Sequence, residues 1–216
     1  MRIPFDTLNT GVARSAQIIN NYMFEQISGP IAISEIAFRL SSDSLGAGSV
    51  QINIDAIEVE LSTSPFTANI PERFSNFDAL HGPDKQVVFL QGSIHWSTVL
   101  APAGDVNAFD LKIPFTRPFI YDPDKGNLYM DIRVLRSSSS SLFDFHTDTG
   151  RRTVDFGYFY SVGLDDQILE NLYNGALVTR FTFQVVPEAS TVALALIALG
   201  SAIFARFARV LSHQGK

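Results

Sequence analysis

The chain has 216 residues, 46% of them hydrophobic, which suits a single domain that buries about 70% of the surface exposed by its unfolded form. Sixteen basic and 22 acidic residues give a net charge of −6, which argues against nucleic acid and anionic lipid as partners. The absence of cysteine excludes a disulfide scaffold and a cysteine nucleophile.

Short segments with period-two alternation follow one another along most of the chain. Hydrophobic and polar residues alternate in six of them, at 36–40, 50–54, 57–61, 109–115, 128–134 and 179–185. Such alternation is typical of antiparallel strands with one face on a core. The phase slips between Ile54 and Ile57, so we predict a β-bulge at Asp55–Ala56. Val87–Leu90 is uninterrupted apolar sequence and predicts a strand covered on both faces.

Helical signals are few. Ile18–Gln26 and Asp165–Tyr173 could each form about two turns. Segments rich in glycine, proline, serine and aspartate separate the predicted strands. We therefore predict an all-β domain over residues 28–185, an antiparallel β-sandwich of the jelly-roll kind, preceded by an N-terminal segment of residues 1–27.

Asp122-Pro123-Asp124-Lys125-Gly126 partly matches a calcium loop. A calcium site needs six to eight oxygen ligands, and the full loop supplies another acidic ligand well after its glycine. Here Lys125 intrudes, and the next acidic residue is Asp131, inside a predicted strand. The simpler interpretation is a hairpin connection.

Asp144, His146 and Asp148 lie at i, i+2 and i+4 and would share one face of a strand. Two carboxylates and an imidazole can hold a divalent metal or arrange a proton transfer. The competing interpretation is a polar strand face or loop, with Arg151 and Arg152 pairing with the acids. We favour the second interpretation, so the sequence predicts neither a metal nor another cofactor.

Trp96 is the only tryptophan. An exposed indole on a sandwich can stack against a sugar ring, but a core position is the more common role of a lone tryptophan. The sequence carries no Gly-x-Ser-x-Gly, no His-Glu-x-x-His and no phosphate-binding loop. These patterns favour a protein that is not an enzyme.

The C-terminus has three parts in a fixed order. It opens with Val186-Pro187-Glu188-Ala189-Ser190-Thr191, continues uncharged to Ala205 and closes with Arg206 and Arg209, followed by a polar tail of residues 210–216. The 17 residues from Ala189 to Ala205 are just enough to span a hydrocarbon core of about 30 Å. This run is apolar on all sides of a helix, and the arginines suit a cytoplasmic stop. We predict a single transmembrane helix here, between Val192 and Ala205.

Residues 186–209 resemble the PEP-CTERM sorting signal of exported proteins of Gram-negative bacteria. The family pattern is Val-Pro-Glu-Pro with Ser or Thr, then a hydrophobic helix and an arginine-rich end. Val186, Pro187, Glu188, Ser190 and Thr191 match, and Ala189 replaces the second proline. Some family names add an ice-binding label, which the single Thr-x-Thr step at 147–149 does not support.

The resemblance implies a fate for the protein. Proteins with this signal are exported, held in the inner membrane by the apolar segment, and read by exosortase, an integral membrane enzyme of the transpeptidase type. Exosortase is thought to cut near the Pro-Glu box, which is Val186–Thr191 in this chain. The part of the chain before the box, which we call the body, then passes to the outer surface. Such signals often accompany genes for exopolysaccharide and biofilm, and anonymous β-sandwich domains often precede them.

Export also implies an N-terminal signal peptide, with a basic start and an apolar run of about 7–15 residues. Met1–Thr10 offers no such run, because Asp6 interrupts it. We therefore expect the coding sequence to begin upstream of Met1.

The sequence thus predicts an exported, non-enzymatic envelope or matrix protein that is itself an exosortase substrate. The alternative is a polysaccharide-binding module of the cell surface or biofilm matrix. An enzyme that uses Asp144, His146 and Asp148 is the third and weakest hypothesis.

Overall fold

The computed structural model describes residues 13–40, 48–68, 76–91, 93–102, 105–137, 147–148, 156–161, 170–172 and 176–187. Within these ranges the chain forms twelve strands and three short 3-10 helices. The strands are β1 (Ala13–Ile19), β2 (Ile31–Phe38), β3 (Gly48–Ser64), β4 (Gln86–Gln91), β5 (Ile94–Leu100), β6 (Leu111–Tyr121), β7 (Asn127–Ser137), β8 (Thr147–Asp148), β9 (Phe156–Ser161), β10 (Glu170–Leu172), β11 (Ala176–Leu177) and β12 (Thr179–Val185). The 3-10 helices are Asn21–Phe24, Asp78–Leu80 and Pro123–Lys125.

The strands form antiparallel sheets, so the all-β prediction is confirmed. The large sheet has the order β10-β9-β1-β7-β3-β4, and β5 also pairs with β3. A second sheet has the order β12-β2-β6, and β8 pairs with β11. β3 is long enough to pair with β7 along one edge and with β5 and then β4 along the other.

The predicted bulge in β3 is confirmed. The register with β7 shifts between Ile54 and Ala56 and again between Ala56 and Ile57. Because successive strand residues face opposite sides, this shift keeps Ile52 and Ile54 on the same face as Ile57. All three are buried in the main core.

One hydrophobic core lies between the two larger sheets. Apolar side chains from both sheets belong to a single cluster, which includes Ile33, Ile36 and Phe38 of β2, Ile113 and Phe119 of β6, Ile57 and Val59 of β3, and Met130 and Ile132 of β7. The aromatic rings of Phe24 and Tyr121 meet edge to face, 5.2 Å apart, at one end of this core. The buried faces of the two sheets therefore pack against each other.

The domain extends upstream of the predicted boundary at Ser28. β1 pairs with β7 on one side and β9 on the other, and all seven of its residues are buried. Ile18 and Ile19 belong to this strand, so the helix predicted for Ile18–Gln26 is wrong there, and only a 3-10 helix at Asn21–Phe24 follows. The helix predicted for Asp165–Tyr173 is likewise wrong at Glu170–Leu172, which is β10.

Two further expectations about strands are corrected. Leu90 in β4 is 61% exposed, so this strand is not covered on both faces, although Val88 and Phe89 are buried. β6 and β7 do not form a hairpin, because β6 pairs with β2 in the smaller sheet and β7 with β1 and β3 in the larger one. The segment from Asp122 to Gly126 therefore connects the two sheets.

Among the residues that the structure describes, no helix is long and apolar enough to cross a membrane. The predicted transmembrane segment from Val192 to Ala205 lies outside the described residues, as do Glu188, Ala189, Ser190, Arg206 and Arg209.

Candidate functional site

Charged side chains meet on the outer face of the large sheet. Arg14 of β1, Glu60 of β3 and Asp131 of β7 alternate with core residues, so they point away from the core. Glu60 and Asp131 are directly opposite each other in the β3–β7 register. Like charges in such positions repel, so this pair needs compensation from neighbouring groups.

A segment between β3 and β4 covers this face, and we call residues 76–85 the strap. Its apolar side chains, Phe77 and Leu80, are fully buried. They belong to a second hydrophobic cluster with Ala16, Ile18 and Tyr129 of the sheet. The strap thereby brings its polar residues Asp78, His81 and Lys85 over the charged strands.

Arg14 and Asp131 form a buried ion pair at the centre of the site. Arg14 Nη2 donates to Asp131 Oδ2 at 2.6 Å, and Arg14 Nε lies 3.1 Å from the same oxygen. Both side chains are at most 1% exposed. Arg14 also bonds to Asp78 of the strap at 2.8 Å, and its guanidinium lies 4.6 Å from the centre of the Phe77 ring. One arginine therefore joins β1, β7 and the strap.

Glu60 is paired with two cations. Its Oε2 lies 2.8 Å from Lys85 Nζ and 2.9 Å from Arg133 Nη2, and Arg133 Nη1 also bonds to Glu58 at 3.1 Å. Burial alone would raise the pKa of Glu60, but His81, Lys85 and Arg133 lower it to about 2. Burial would also raise the pKa of Asp78, but Arg14, Lys85 and Arg133 lower it to about 2. Both carboxylates therefore stay ionised at neutral pH.

His81 lies between the two facing carboxylates. Its Nε2 is 3.4 Å from Glu60 Oε2 and 3.5 Å from Asp131 Oδ2, and its Nδ1 is 2.9 Å from Ser62 Oγ. The ring meets Tyr129 edge to face at 4.6 Å, and only 3% of the side chain is exposed. Burial lowers the pKa of His81, but Asp131 and Glu60 raise it by more, so the net shift is upward. The imidazolium is thus the form that this site favours.

Four potential metal ligands lie together here. Glu60, Asp78, His81 and Asp131 each offer one ligand atom, all within 4.8 Å of one another. However, Arg14, Lys85 and Arg133 already pair with the three carboxylates, and a dication would add two positive charges beside these cations. The arrangement is best described as an ion-pair network that fastens the strap.

Isothermal titration of the protein with Zn²⁺ or Ca²⁺ is expected to show no stoichiometric binding at micromolar concentration, because a metal would have to displace these cations. A one-to-one response that disappears in His81→Ala would contradict this prediction. Asp124→Ala serves the same purpose for the Asp122–Gly126 segment.

Asp122–Gly126 uses its oxygens locally. Asp122 Oδ1 accepts a hydrogen bond from the backbone N–H of Asp124, and its Oδ2 pairs with Lys125 Nζ at 3.2 Å. Gly126 has a φ of 148°, and a Cβ at this position would lie 2.7 Å from the carbonyl oxygen of Ser64. These contacts describe a tight connection that requires glycine.

The structure describes only some of the other candidates. Asp144 and His146 lie outside the described residues, whereas Asp148 lies in β8, opposite Ala176. Trp96 is 8% exposed, and its indole N–H donates to the Lys112 carbonyl at 3.0 Å, so it belongs to the core as expected.

A cleft of about 420 Å³ opens beside Trp96. Its lining residues are Phe89, Ser93, Ile94, His95, Trp96, Lys112 and Pro114. Within the cleft region His95 is exposed and its Nδ1 lies 2.8 Å from Asn53 Oδ1. The cleft therefore has an aromatic wall and polar groups near it.

The first residues of the predicted sorting motif follow β12 directly. The backbone N–H of Val186 donates to the Pro30 carbonyl at 2.8 Å, and Pro187 is exposed. The remaining motif residues lie outside the described part of the chain.

No protein-family model, no curated protein and no solved structure matches this chain.

The ion-pair network is not evident from the sequence. Asp131 enters the sequence argument only as an acidic residue in a predicted strand, where it does not complete a calcium loop, and Arg14 lies in the segment predicted to precede the domain. The alternation of Glu58 and Glu60 with apolar residues was a signal for a strand, but it is equally typical of a face exposed to water.

Proposed function

We propose that this chain is an exported, non-enzymatic protein of the cell envelope or extracellular matrix, and a substrate of exosortase. In this proposal the body is a jelly-roll-like β-sandwich, and residues 186–209 form a PEP-CTERM sorting signal with one transmembrane helix. The inner membrane and exosortase are then its partners during transit.

The observation that carries the proposal is the end of β12, the last strand in the described part of the chain. β12 ends at Val185, and Val186 makes one more backbone hydrogen bond before the exposed Pro187 begins the Pro-Glu box. A proline lacks the backbone donor that a strand or helix needs, so it favours an extended segment. The exposed Pro187 directly after β12 supports a box that an enzyme in the membrane can reach.

The charge distribution supports a body that does not bind nucleic acid or anionic lipid. Residues 1–188 carry 13 basic and 22 acidic side chains, a net charge of −9, because Arg206, Arg209 and Lys216 belong to the tail. Like charges on the lipid headgroups repel such a body.

The ion-pair network also supports a role without catalysis. His81 is almost fully buried and flanked by two carboxylates, so a substrate has no access to its imidazole. Glu60 and Asp78 keep a pKa of about 2, which suits permanent charges and not proton transfer at neutral pH.

The decisive test is the C-terminus of the mature protein. Intact mass of the protein from the surface fraction, in a host with the matching exosortase, distinguishes sorting from plain anchoring. Cleavage near Glu188 supports the proposal, and intact chains ending at Lys216 at the surface contradict it.

A polysaccharide-binding body is a second candidate, favoured by the cleft beside Trp96. Its volume suits a small ligand, and its wall combines the aromatic residues Phe89 and Trp96 with the basic Lys112. The limited exposure of Trp96 leaves little of the indole for stacking, which is why this candidate stands second.

Fluorescence of Trp96, the only tryptophan, reports on this cleft directly. If the body binds exopolysaccharide there, titration with acidic or neutral oligosaccharides will give a saturable change that weakens in Lys112→Ala. Arg136→Ala, an exposed cation on β7, is the matched control and should bind as the wild type does. A flat titration for every sugar would remove the second candidate.

A further inference from the structure

The strap is fastened to the large sheet by both fixed and titratable contacts. Asp84 accepts hydrogen bonds from the backbone N–H and the hydroxyl of Thr63, at 2.7 and 2.6 Å. Ser64 Oγ donates to the Leu80 carbonyl at 2.7 Å. His81 differs from these groups because an imidazole changes its charge close to neutral pH.

Charged and titratable groups from every element around His81 either contact it or pair with the groups that do. They are Glu60 and the neighbouring Glu58 of β3, Tyr129, Asp131 and Arg133 of β7, Arg14 of β1, and Asp78 and Lys85 of the strap itself. Four of these groups are carboxylates and three are permanent or strongly basic cations. An imidazolium at His81 therefore brings the sum of charges to zero, and a neutral imidazole leaves one negative charge uncompensated.

The position of the imidazolium matters as much as the total charge of the cluster. The imidazole Nε2 is the group between Glu60 Oε2 and Asp131 Oδ2, the two carboxylates that face each other across the β3–β7 register. When the ring loses its proton, it keeps one N–H but no longer places a positive charge between the two oxygens. The two buried carboxylates then repel each other with less compensation, at the point where the strap crosses them.

We propose that His81 is a pH-sensitive latch: its imidazolium holds the strap on the sheet, and its deprotonation releases the strap while the core between the two sheets stays folded. Release would uncover the apolar outer face formed by Ala16, Ile18 and Tyr129. The body would then present a closed surface while His81 is protonated and an open one after His81 has lost its proton.

The direction of the pH effect follows from the shift at His81. Burial lowers its pKa, but Asp131 and Glu60 raise it above the ordinary value of 6.5. A group with a raised pKa in the folded state gives its full stabilisation below its unfolded pKa and loses it as the pH rises through the folded pKa. The latch is therefore closed at pH 6 and loses its hold as the pH rises through the raised pKa of His81.

Hydrogen exchange of the purified chain tests this proposal. The backbone N–H groups of Leu80 and His81 bond to the carbonyls of Phe77 and Asp78 within the strap. Between pH 6.5 and pH 9, after correction for intrinsic exchange, their protection is expected to fall at least ten-fold. Release of one proton allows at most a ten-fold change per pH unit. The amide of Ile132 in β7 should keep its protection.

Two variants separate the latch from general instability. In His81→Gln, a neutral side chain replaces the imidazole, so the strap should be poorly protected at every pH and its pH dependence should vanish. His95→Gln is the matched control, since His95 is exposed on β5 and contacts Asn53, away from the strap. It should keep the wild-type profile.

Three outcomes would overturn the latch. The first is strap protection that does not change between pH 6.5 and pH 9, and the second is the same pH dependence in His81→Gln. The third is simultaneous loss of protection at Ile132, which would mean global unfolding. If His81→Gln does not fold, the NMR titration of the wild-type imidazole decides: its midpoint must coincide with the loss of strap protection, and a mismatch refutes the proposal.

Discussion

In a host that supplies the matching exosortase and an added signal peptide, the mature protein is expected to end near Glu188 and to lack Thr191–Lys216. The apolar run has 17 residues, the low end of what holds a chain in a bilayer, which suits a temporary stop in the membrane. C-terminal mass spectrometry of the surface fraction measures the result.

Variants separate recognition from anchoring. Changing Pro187 and Glu188 together to Ala should leave full-length protein in the inner membrane, because the anchor remains while the cleavage signal is lost. Deleting Thr191–Lys216 should release the body into the periplasm. Pro102→Ala, which changes an exposed proline in another loop, is the control and should be processed normally. Surface chains that end at Lys216 would show that the segment is an ordinary anchor.

Replacing Arg14 with Ala is expected to lower the free energy of unfolding by about 3–5 kcal/mol, because it leaves the fully buried Asp131 without its main partner. The same change removes the bond to Asp78 and the contact with Phe77. For a domain of this size the melting temperature should fall by roughly 10 °C. Denaturation followed by Trp96 fluorescence measures both quantities.

Arg136→Ala is the matched control for Arg14→Ala. Arg136 is 74% exposed and lies 3.9 Å from Asp55, so its loss should cost less than about 1 kcal/mol. If the two variants are equally stable, the buried network contributes nothing to the fold, and the role assigned to Arg14 is wrong.

The period-two pattern predicted strands in which every second residue faces the main core. β3 is the clearest case, because the phase slip at Asp55–Ala56 marks the place where its register with β7 shifts. A pattern of this kind records only which side of a strand meets the core. It therefore could not predict that β6 and β7 belong to different sheets, since their partners are distant in sequence.

The sequence pattern did not predict β1, because both faces of this strand are covered. Ala13 and Ile19 face the main core, whereas Ala16 and Ile18 face the strap, so its sequence shows no alternation. The ion-pair network depends on the same long-range packing: Arg14 and Asp131 are 117 residues apart. Charged residues within strands usually face water. Here the strap covers this face and buries them, and the strap itself shows no periodic pattern that would predict its position.

The position of β12 determines how a force applied to the C-terminal segment would act on the folded domain. In the part of the chain that the structure describes, β12 pairs with β2 alone, and Val185 at its end lies opposite Ile31 at the start of β2. The hydrogen bonds of an antiparallel pair run perpendicular to the strands. Tension across the strands would open these bonds one after another from Val185, whereas tension along β12 would load all of them together. If the protein is held by its C-terminal segment, the direction of the pull at Val186 therefore sets the force that separates β12 from β2.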